Sequence, residues 1–244
     1  MLSVVVPVYN EGENIAEFLA ELARRALPPY EVLIVHDRDD DDTLPVLAAL
    51  KAADHGAFKH VRPVKNSVHR GPSGALRSGF AAAAGEHVLV AMADLSDDLS
   101  QVEALRDAAR RGYAVVCPSR YCPGGEQRLN SIRATIPRWA SLTLRALTGI
   151  PTHDATNSFR LYSRALLASL ELTSTHSFSV TLEILAKAYW RDAAILEIPT
   201  VWNDRRHGVS KFPFVASLAT YLPWFFLATA KGLLNRLGFG RPRG

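Results

Sequence analysis

The chain has 244 residues, 48% of them hydrophobic and 21% charged, with 15 Gly and 14 Pro spread along it. That composition excludes a disordered or low-complexity protein and leaves room for one sizeable core in a single α/β domain. A formal net charge of +4 is too modest to mark a nucleic-acid binder, and no nucleic-acid partner is expected. It suits anionic small molecules or an anionic membrane surface.

In chain order, residues 2–6 are apolar and mostly β-branched, the pattern of a strand buried on both faces of a parallel sheet. Nothing before them has the length or flanks of a signal peptide. Ile15, Phe18, Leu19, Leu22 and Ala23 recur at helical spacing up to the break at Pro28-Pro29. Residues 32–35 form a second strand, and a helix begins near Thr43 with Pro45 in its first turn. A third strand follows at 61–64, an Ala-rich helix at 73–84 and a fourth strand at 87–92. A helix at 100–111 and a strand at 114–117 complete the alternation. Strand–helix alternation predicts a mostly parallel sheet covered by helices on both faces, with ligands at the carboxyl ends of the strands. Beyond Leu129 the pattern turns to helices plus an extended piece at 194–201, expected to supply the acceptor side. Cys117 and Cys122 are too few for a zinc site. Their spacing permits a disulfide, but reduced thiols in a cytosolic protein are the expectation.

The C-terminal stretch has no charged residue between Lys211 and Lys231 and holds Phe212, Phe214, Tyr221, Trp224, Phe225 and Phe226. Its length would cross a bilayer, but Pro213, Pro223 and the several Ser and Thr argue against that. Tyr221 and Trp224 as belt residues, with Lys231, Arg236, Arg241 and Arg243 as a basic flank, point instead to one or two interfacial helices over 212–237. A buried core helix is the alternative. The chain thus divides into a catalytic domain, 1–211, and an amphipathic membrane-interfacial segment, 212–244. The expected location is cytoplasmic, peripheral on the cytoplasmic face of the membrane.

Three loops after strands carry the chemistry. Pro7-Val8-Tyr9-Asn10-Glu11 sets a ring and a carboxylate at the mouth of the sheet, although a plain turn with a solvated Glu would look the same. Residues 37–42 pack five acids into six positions. Helix capping and solvation account equally well for Asp39, Asp40 and Asp42, whereas Asp37, at the strand end, points to a nucleobase or ribose. Met92-Ala93-Asp94-Leu95-Ser96-Asp97-Asp98 is the sharpest loop, because carboxylates there can hold Mg2+ or Mn2+ against a diphosphate. A helix cap competes for Asp98 but does not explain Asp94.

These loops, in this order, resemble glycosyltransferase family 2 with its GT-A fold, in particular its polyprenyl-phosphate sugar transferases such as the dolichol-phosphate mannose synthases. Ser119-Arg120-Tyr121 with Gly124-Gly125, the run from Asp154 to Tyr162, and Arg205-Arg206-His207-Gly208-Val209-Ser210-Lys211-Phe212 extend the match over about residues 1–212. The resemblance implies that Pro7, Tyr9, Glu11 and Asp37 hold the base and ribose of a nucleoside diphosphate sugar. Asp94 would be the second acid of an Asp-x-Asp metal motif. Arg120 and Arg133 would lie near the diphosphate and the acceptor phosphate, and Arg205, Ser210 and Lys211 would close over the phosphates.

The departures are specific. Met92 stands where the family's first metal acid belongs, and a thioether is a poor magnesium ligand. Ser96 replaces a common Gln, and Arg38 and Asp42 replace glycines. The expected reaction is inverting displacement, with metal and arginines stabilising the leaving diphosphate. Arg120, Arg133, Arg138, Arg205 and Lys211 outnumber the needs of one diphosphate, which favours a polyprenyl phosphate acceptor, although ion pairs to Asp97, Asp154 or Glu183 would absorb some of them. Such an acceptor is already ionised and needs positioning, whereas a soluble hydroxyl would need Asp97 or Asp98 as base. The rivals are therefore a transferase to a soluble hydroxyl and a non-enzymatic nucleotide-sugar binder, the latter suggested by Met92. Asp94, Asp97, Asp98, Arg120 and Arg133 are the candidate catalytic residues, with Asp94 the metal ligand. Arg138, Arg205, Ser210 and Lys211 are the candidate phosphate and acceptor contacts. The sugar, the base and the oligomeric state are left open.

Overall fold

In the computed structural model, which describes residues 1–53, 58–128, 132–204 and 214–236, strands and helices alternate as the sequence pattern predicts. The order is β1 (Leu2–Val8), α1 (Gly12–Arg25), β2 (Tyr30–His36), α2 (Thr43–Ala53), β3 (Val61–Lys65), α3 (Pro72–Ala82) and β4 (His87–Val90). Then come a short 3-10 turn, Leu99–Gln101, α4 (Val102–Arg110), β5 (Val115–Ser119), β6 (Glu126–Gln127) and α5 (Ile132–Thr148). The chain continues through β7 (Arg160–Ser163), α6 (Arg164–Ser169), α7 (Ser179–Trp190), β8 (Ile195–Pro199), β9 (Val201–Trp202) and α8 (Phe214–Arg236).

Seven strands form one sheet in the order β3-β2-β1-β4-β7-β5-β8. All neighbours are parallel except β7, which runs antiparallel to both β4 and β5. The predicted sheet is thus correct in class, but β7 was hidden: Arg160-Leu161-Tyr162-Ser163 is too short and too mixed to announce a strand. Its direction matters, because it pairs Arg160 with Val90 and so brings the residues before it to the edge where β4 and β5 end. The extended piece expected over 194–201 is really β8 plus β9, and β9 pairs with β6 in a separate two-stranded ledge. The expected fourth strand is shorter than read, ending at Val90, so Met92 stands in the loop.

Alternation along the strands divides the core. Val4, Val6 and Val8 face a cluster with Phe18 and Leu22 of α1 and Leu105 of α4. Val5 faces a second cluster with Leu76 and Phe80 of α3, Leu144 of α5 and Ile184 and Leu185 of α7. Helix α8 belongs to this second layer. Its Ala228 is fully buried, and Tyr221, Trp224 and Phe225 pack against the same cluster. Gly232 lets it close on α5, since a Cβ there would lie 2.7 Å from Thr148 Cα. The division drawn at residue 211 falls outside the described residues.

Trp224 donates from Nε1 to Ser174 Oγ (2.7 Å), with Lys187 Nζ 5.0 Å from its ring. Lys231 Nζ lies 4.4 Å from the Trp190 ring. The belt residues Tyr221 and Trp224 are therefore turned into the fold, a correction to their expected place at a membrane interface. The reason is the stack of α7 beneath them, which the local sequence of α8 does not contain. Leu222, Phe226, Leu227, Leu233 and Leu234 occupy the outer side. Among the described residues no helix is long and apolar enough to cross a membrane.

Helix α3 approaches β1 so closely that a Cβ on Gly79 would lie 2.3 Å from Val5 Cγ1. Gly79→Ala is expected to overpack this layer at about 1–3 kcal/mol, lowering Tm by roughly 3–10 °C for a domain of this size. Calorimetry showing an unchanged Tm would mean that the α3–β1 spacing is looser than described.

Candidate active site

The chain runs outward from β1 through β2 to β3 and then returns to add β4 on the other side of β1. That reversal opens a crevice at the carboxyl ends of β1 and β4, where ligands bind in open α/β sheets. The loops after β2, β1 and β4 therefore stand side by side.

The first two loops brace one another. Asn10 takes a left-handed conformation, φ 53°, and its amide donates to Asp41 Oδ2 (3.0 Å). The Glu11 amide donates to Thr43 Oγ1 (3.0 Å) and the Gly12 amide to Asp42 Oδ1 (2.8 Å). Asp42 thus caps the free amide at the start of α1 from a distant loop. Asp39 and Asp40 are exposed partners of Lys65 and Arg38, the solvated role allowed for them above. Pro7 is buried within β1 opposite Val35. Tyr9 is 48% exposed at the mouth of the crevice. Glu11 Oε2 accepts from Asn14 Nδ2 (2.6 Å).

Asp37 accepts from Asn66 Nδ2 (2.6 Å) and from the Gly71 amide (2.7 Å). It therefore ties the loop after β3 to the start of α3. A carboxylate offers about four acceptor positions, so capacity for a ribose hydroxyl remains. Asn66 is a site-shaping residue that sequence reasoning missed; its place just beyond β3 was the available signal.

The third loop doubles back on itself. Asp94 Oδ1 accepts the Ser96 amide (3.1 Å), and Leu95 is left-handed at φ 58°, a costly conformation for a branched residue, of order 1–3 kcal/mol. Asp98 Oδ1 accepts from the Ser100 amide (3.0 Å) and hydroxyl (2.6 Å) and caps the 3-10 turn, the competing role weighed for it above. Asp97 is only 8% exposed, and its Oδ2 has no partner. Burial, reinforced by the charge of Asp94, pushes its carboxyl up to about 8, with Arg120 acting in the opposite direction.

After β5, Arg120 forks onto Asp154, Nε to Oδ2 at 2.6 Å and Nη2 to Oδ1 at 2.9 Å. Burial opposes ionisation of Asp154, but the Arg120 guanidinium holds its carboxyl below the ordinary range. Arg120 also lies 4.9 Å from the Tyr121 ring. Its guanidinium is therefore committed to Asp154, one of the ion pairs weighed as an alternative to phosphate binding. Arg160, fully buried, donates to the Asp154 carbonyl (3.0 Å) and the Thr181 carbonyl (3.3 Å). Arg138 is exposed on α5, and its charge reaches the Tyr121 phenol.

The Arg133 side chain and all of Arg205, Ser210 and Lys211 lie outside the described residues. The chain enters that stretch tethered to the third loop, because Asn203 N donates to Ser96 O (3.0 Å) and Asp97 bridges Trp202. Among the described residues no three His, Cys, Asp or Glu gather as a metal cluster. Magnesium and manganese at diphosphates need only one or two carboxylates plus phosphate oxygens. Asp94 with the orphan oxygen of Asp97 fits that demand.

Residues 3–170 match the family described as glycosyl transferase family 2, and the chain belongs to it; it is a glycosyltransferase. It is 29% identical over 214 residues to the polyprenol monophosphomannose synthase of Mycolicibacterium smegmatis, covering 85% of this chain and 79% of that one. It is also 29% identical over 222 residues to the undecaprenyl-phosphate 4-deoxy-4-formamido-L-arabinose transferase of Klebsiella pneumoniae, covering 88% of this chain but only 63% of that longer one. In fold it resembles glucosyl-3-phosphoglycerate synthase from Mycobacterium tuberculosis, solved with Mn2+, UDP and glucosyl-3-phosphoglycerate. The TM-score is 0.69 at 20% identity, with 100% of this chain and 82% of that one covered.

Because the folded chain holds the Asp97 proton up to about 8 while the unfolded chain loses it near 3.8, Asp97 withdraws stability as pH rises between those values. Asp97→Asn is expected to flatten the fall in Tm between pH 5 and pH 8. Equal slopes for both proteins would show that Asp97 stays charged throughout.

Proposed function

We propose that this chain moves a sugar from a nucleoside diphosphate sugar to a polyprenyl phosphate, with inversion, while lying on the membrane. The carrying observation is the outer face of the second helical layer. Helices α5 and α8 pack together, and each leaves large apolar side chains in solvent. Trp139 on α5 is 65% exposed and Phe226 on α8 63%, and Leu222, Leu227, Leu233 and Leu234 extend the exposed apolar surface of α8. Large exposed apolar surfaces mark interaction sites, and a lipid acceptor requires one. The relatives named for polyprenyl and undecaprenyl phosphates support the same acceptor. The unpaired thiols Cys117 and Cys122 suit the cytoplasmic face.

In this reading Pro7, Tyr9, Glu11 and Asp37 frame the base and ribose, and Asp94 holds Mg2+ or Mn2+, which would neutralise charge on the departing diphosphate. The acceptor phosphate oxygen bonds to the anomeric carbon as the bond to the β-phosphate oxygen breaks. Arg133, Arg138, Arg205, Ser210 and Lys211 position the phosphates. Asp97 is buried away from solvent, and Asp98 caps the 3-10 turn. Both facts favour an acceptor that arrives already ionised over a soluble hydroxyl.

Two measurements test this. Asp94→Ala is expected to abolish transfer with Tm within a few degrees of the parent; full turnover under saturating metal would remove Asp94 from the site. Deleting α8 would strip the second core, so Leu222, Phe226 and Leu233 are changed to Glu instead. The parent chain is expected to co-sediment with liposomes, more so with anionic lipid, at about 1 kcal/mol per basic residue near the surface. The triple variant should not pellet and should lose transfer to polyprenyl phosphate while still binding sugar nucleotide. Negligible pelleting of the parent would put the soluble-hydroxyl acceptor first.

A further inference from the structure

The third loop answers a question that Met92 raises: where the second carboxylate of the metal site comes from. Met92 sits just beyond the end of β4 and offers only a thioether. Three residues on, the chain reverses at Leu95, φ 58°. The returning segment is then pinned from outside, by Asn203 N on Ser96 O (3.0 Å) and by the bridge between Asp97 and Trp202. The result is that the Asp97 carboxyl comes back against the end of β4. There it meets the Met92 backbone, within reach of the Asp94 charge. The other cation of this neighbourhood, Arg120, is forked onto Asp154. Asp97 Oδ2 is left buried with no partner.

A buried carboxylate oxygen without a donor is costly unless something positive meets it. A left-handed leucine is likewise costly and persists where the surroundings enforce it, often at functional sites. Here both occur two residues apart, at Leu95 and Asp97, beside the one acid of the metal motif that this chain retains. We propose that Asp97 takes the place of residue 92 as the second carboxylate ligand, so that this chain holds its divalent cation between Asp94 and Asp97. The metal motif has moved along its own loop, from residues 92 and 94 to residues 94 and 97. Hard cations accept such a change because they ask for oxygen and charge rather than for one backbone position. The substitution at 92 then does not mark a degenerate binder.

The inference rests on the metal-assisted reading above, and the test separates the two. Uptake of Mn2+ alone is followed by loss of the free-ion signal in electron paramagnetic resonance, with Tm recorded for each protein. Asp97→Asn is expected to weaken Mn2+ uptake at least tenfold, comparably to Asp94→Asn. Adding Met92→Asp to Asp97→Asn should recover most of that loss, because the carboxylate is returned to the other side of the site. Should Asp97→Asn fail to fold, Asp97→Ser takes its place. Parent-like Mn2+ uptake by the Asp97 variant, with Asp94→Asn impaired, overturns the assignment of Asp97 alone. So does an impaired Asp97 variant that Met92→Asp does not rescue, since the loss would then come from the loop. A parent chain that takes up no Mn2+ and transfers sugar in excess chelator removes the metal reading itself.

Discussion

The forked ion pair between Arg120 and Asp154 is the constraint on which the site depends. Asp154 is fully buried, and a buried carboxylate stripped of its partner costs about 3–5 kcal/mol. The pair therefore dictates where two chain segments go. It clamps the turn after β5 to the stretch leading into β7, and β7 can then enter the sheet only antiparallel, with Arg160 at the edge where β4 ends. Arg160 completes the clamp by holding the Asp154 carbonyl from beneath. The Arg120 charge is thus spent inside the fold, while Arg138 on α5 stays exposed.

That division of labour explains which parts of the site were legible in the sequence. Asp94 and Tyr9 were visible because each follows a strand whose apolar run is unmistakable, and strand ends are where such sheets bind ligands. Asp37 was visible for the same reason, yet its bonds to Asn66 and Gly71 were not, because they join elements roughly thirty residues apart. Asp42 and Asp98 cap helical turns, the alternative that the sequence left open for each. Capping and catalysis demand the same residue type at the same kind of position, so only partners tell them apart. β7 was missed because four residues, one of them a buried arginine, carry no alternation signal. A buried arginine is legible only once its carbonyl acceptors are in place.

The position of Asp97 links the chemistry of the acceptor to the state of the metal site. A carboxyl that is buried beside another acid can serve as a cation ligand or as a general base. The two uses compete for the same oxygen: an Asp97 that holds a cation cannot also take a proton from a hydroxyl. If Asp97 holds the cation as proposed above, an acceptor that brings its own negative charge, such as a phosphate monoester, needs no base from this loop.

The C-terminal helix shows why amphipathic character cannot be assigned from residue types alone. In α8 the aromatic residues with polar tips, Tyr221 and Trp224, face the protein, and the purely apolar Leu222, Phe226, Leu233 and Leu234 face out. For a helix buried in a soluble core this arrangement would be inverted, since Trp Nε1 and the Tyr hydroxyl are the groups that tolerate water. Here Trp224 finds Ser174 as an acceptor inside, so nothing polar needs to be left on the outer face. That outer face then has no hydrogen-bonding demand of its own. Such a surface gains by losing its contact with water, in keeping with the interfacial placement proposed above. The helix is therefore fixed to the catalytic fold by its polar-tipped rings and turns Leu222, Phe226, Leu227, Leu233 and Leu234 outward, with Lys231 also exposed. A membrane bound on that side would hold the fold through α5, α7 and α8 together.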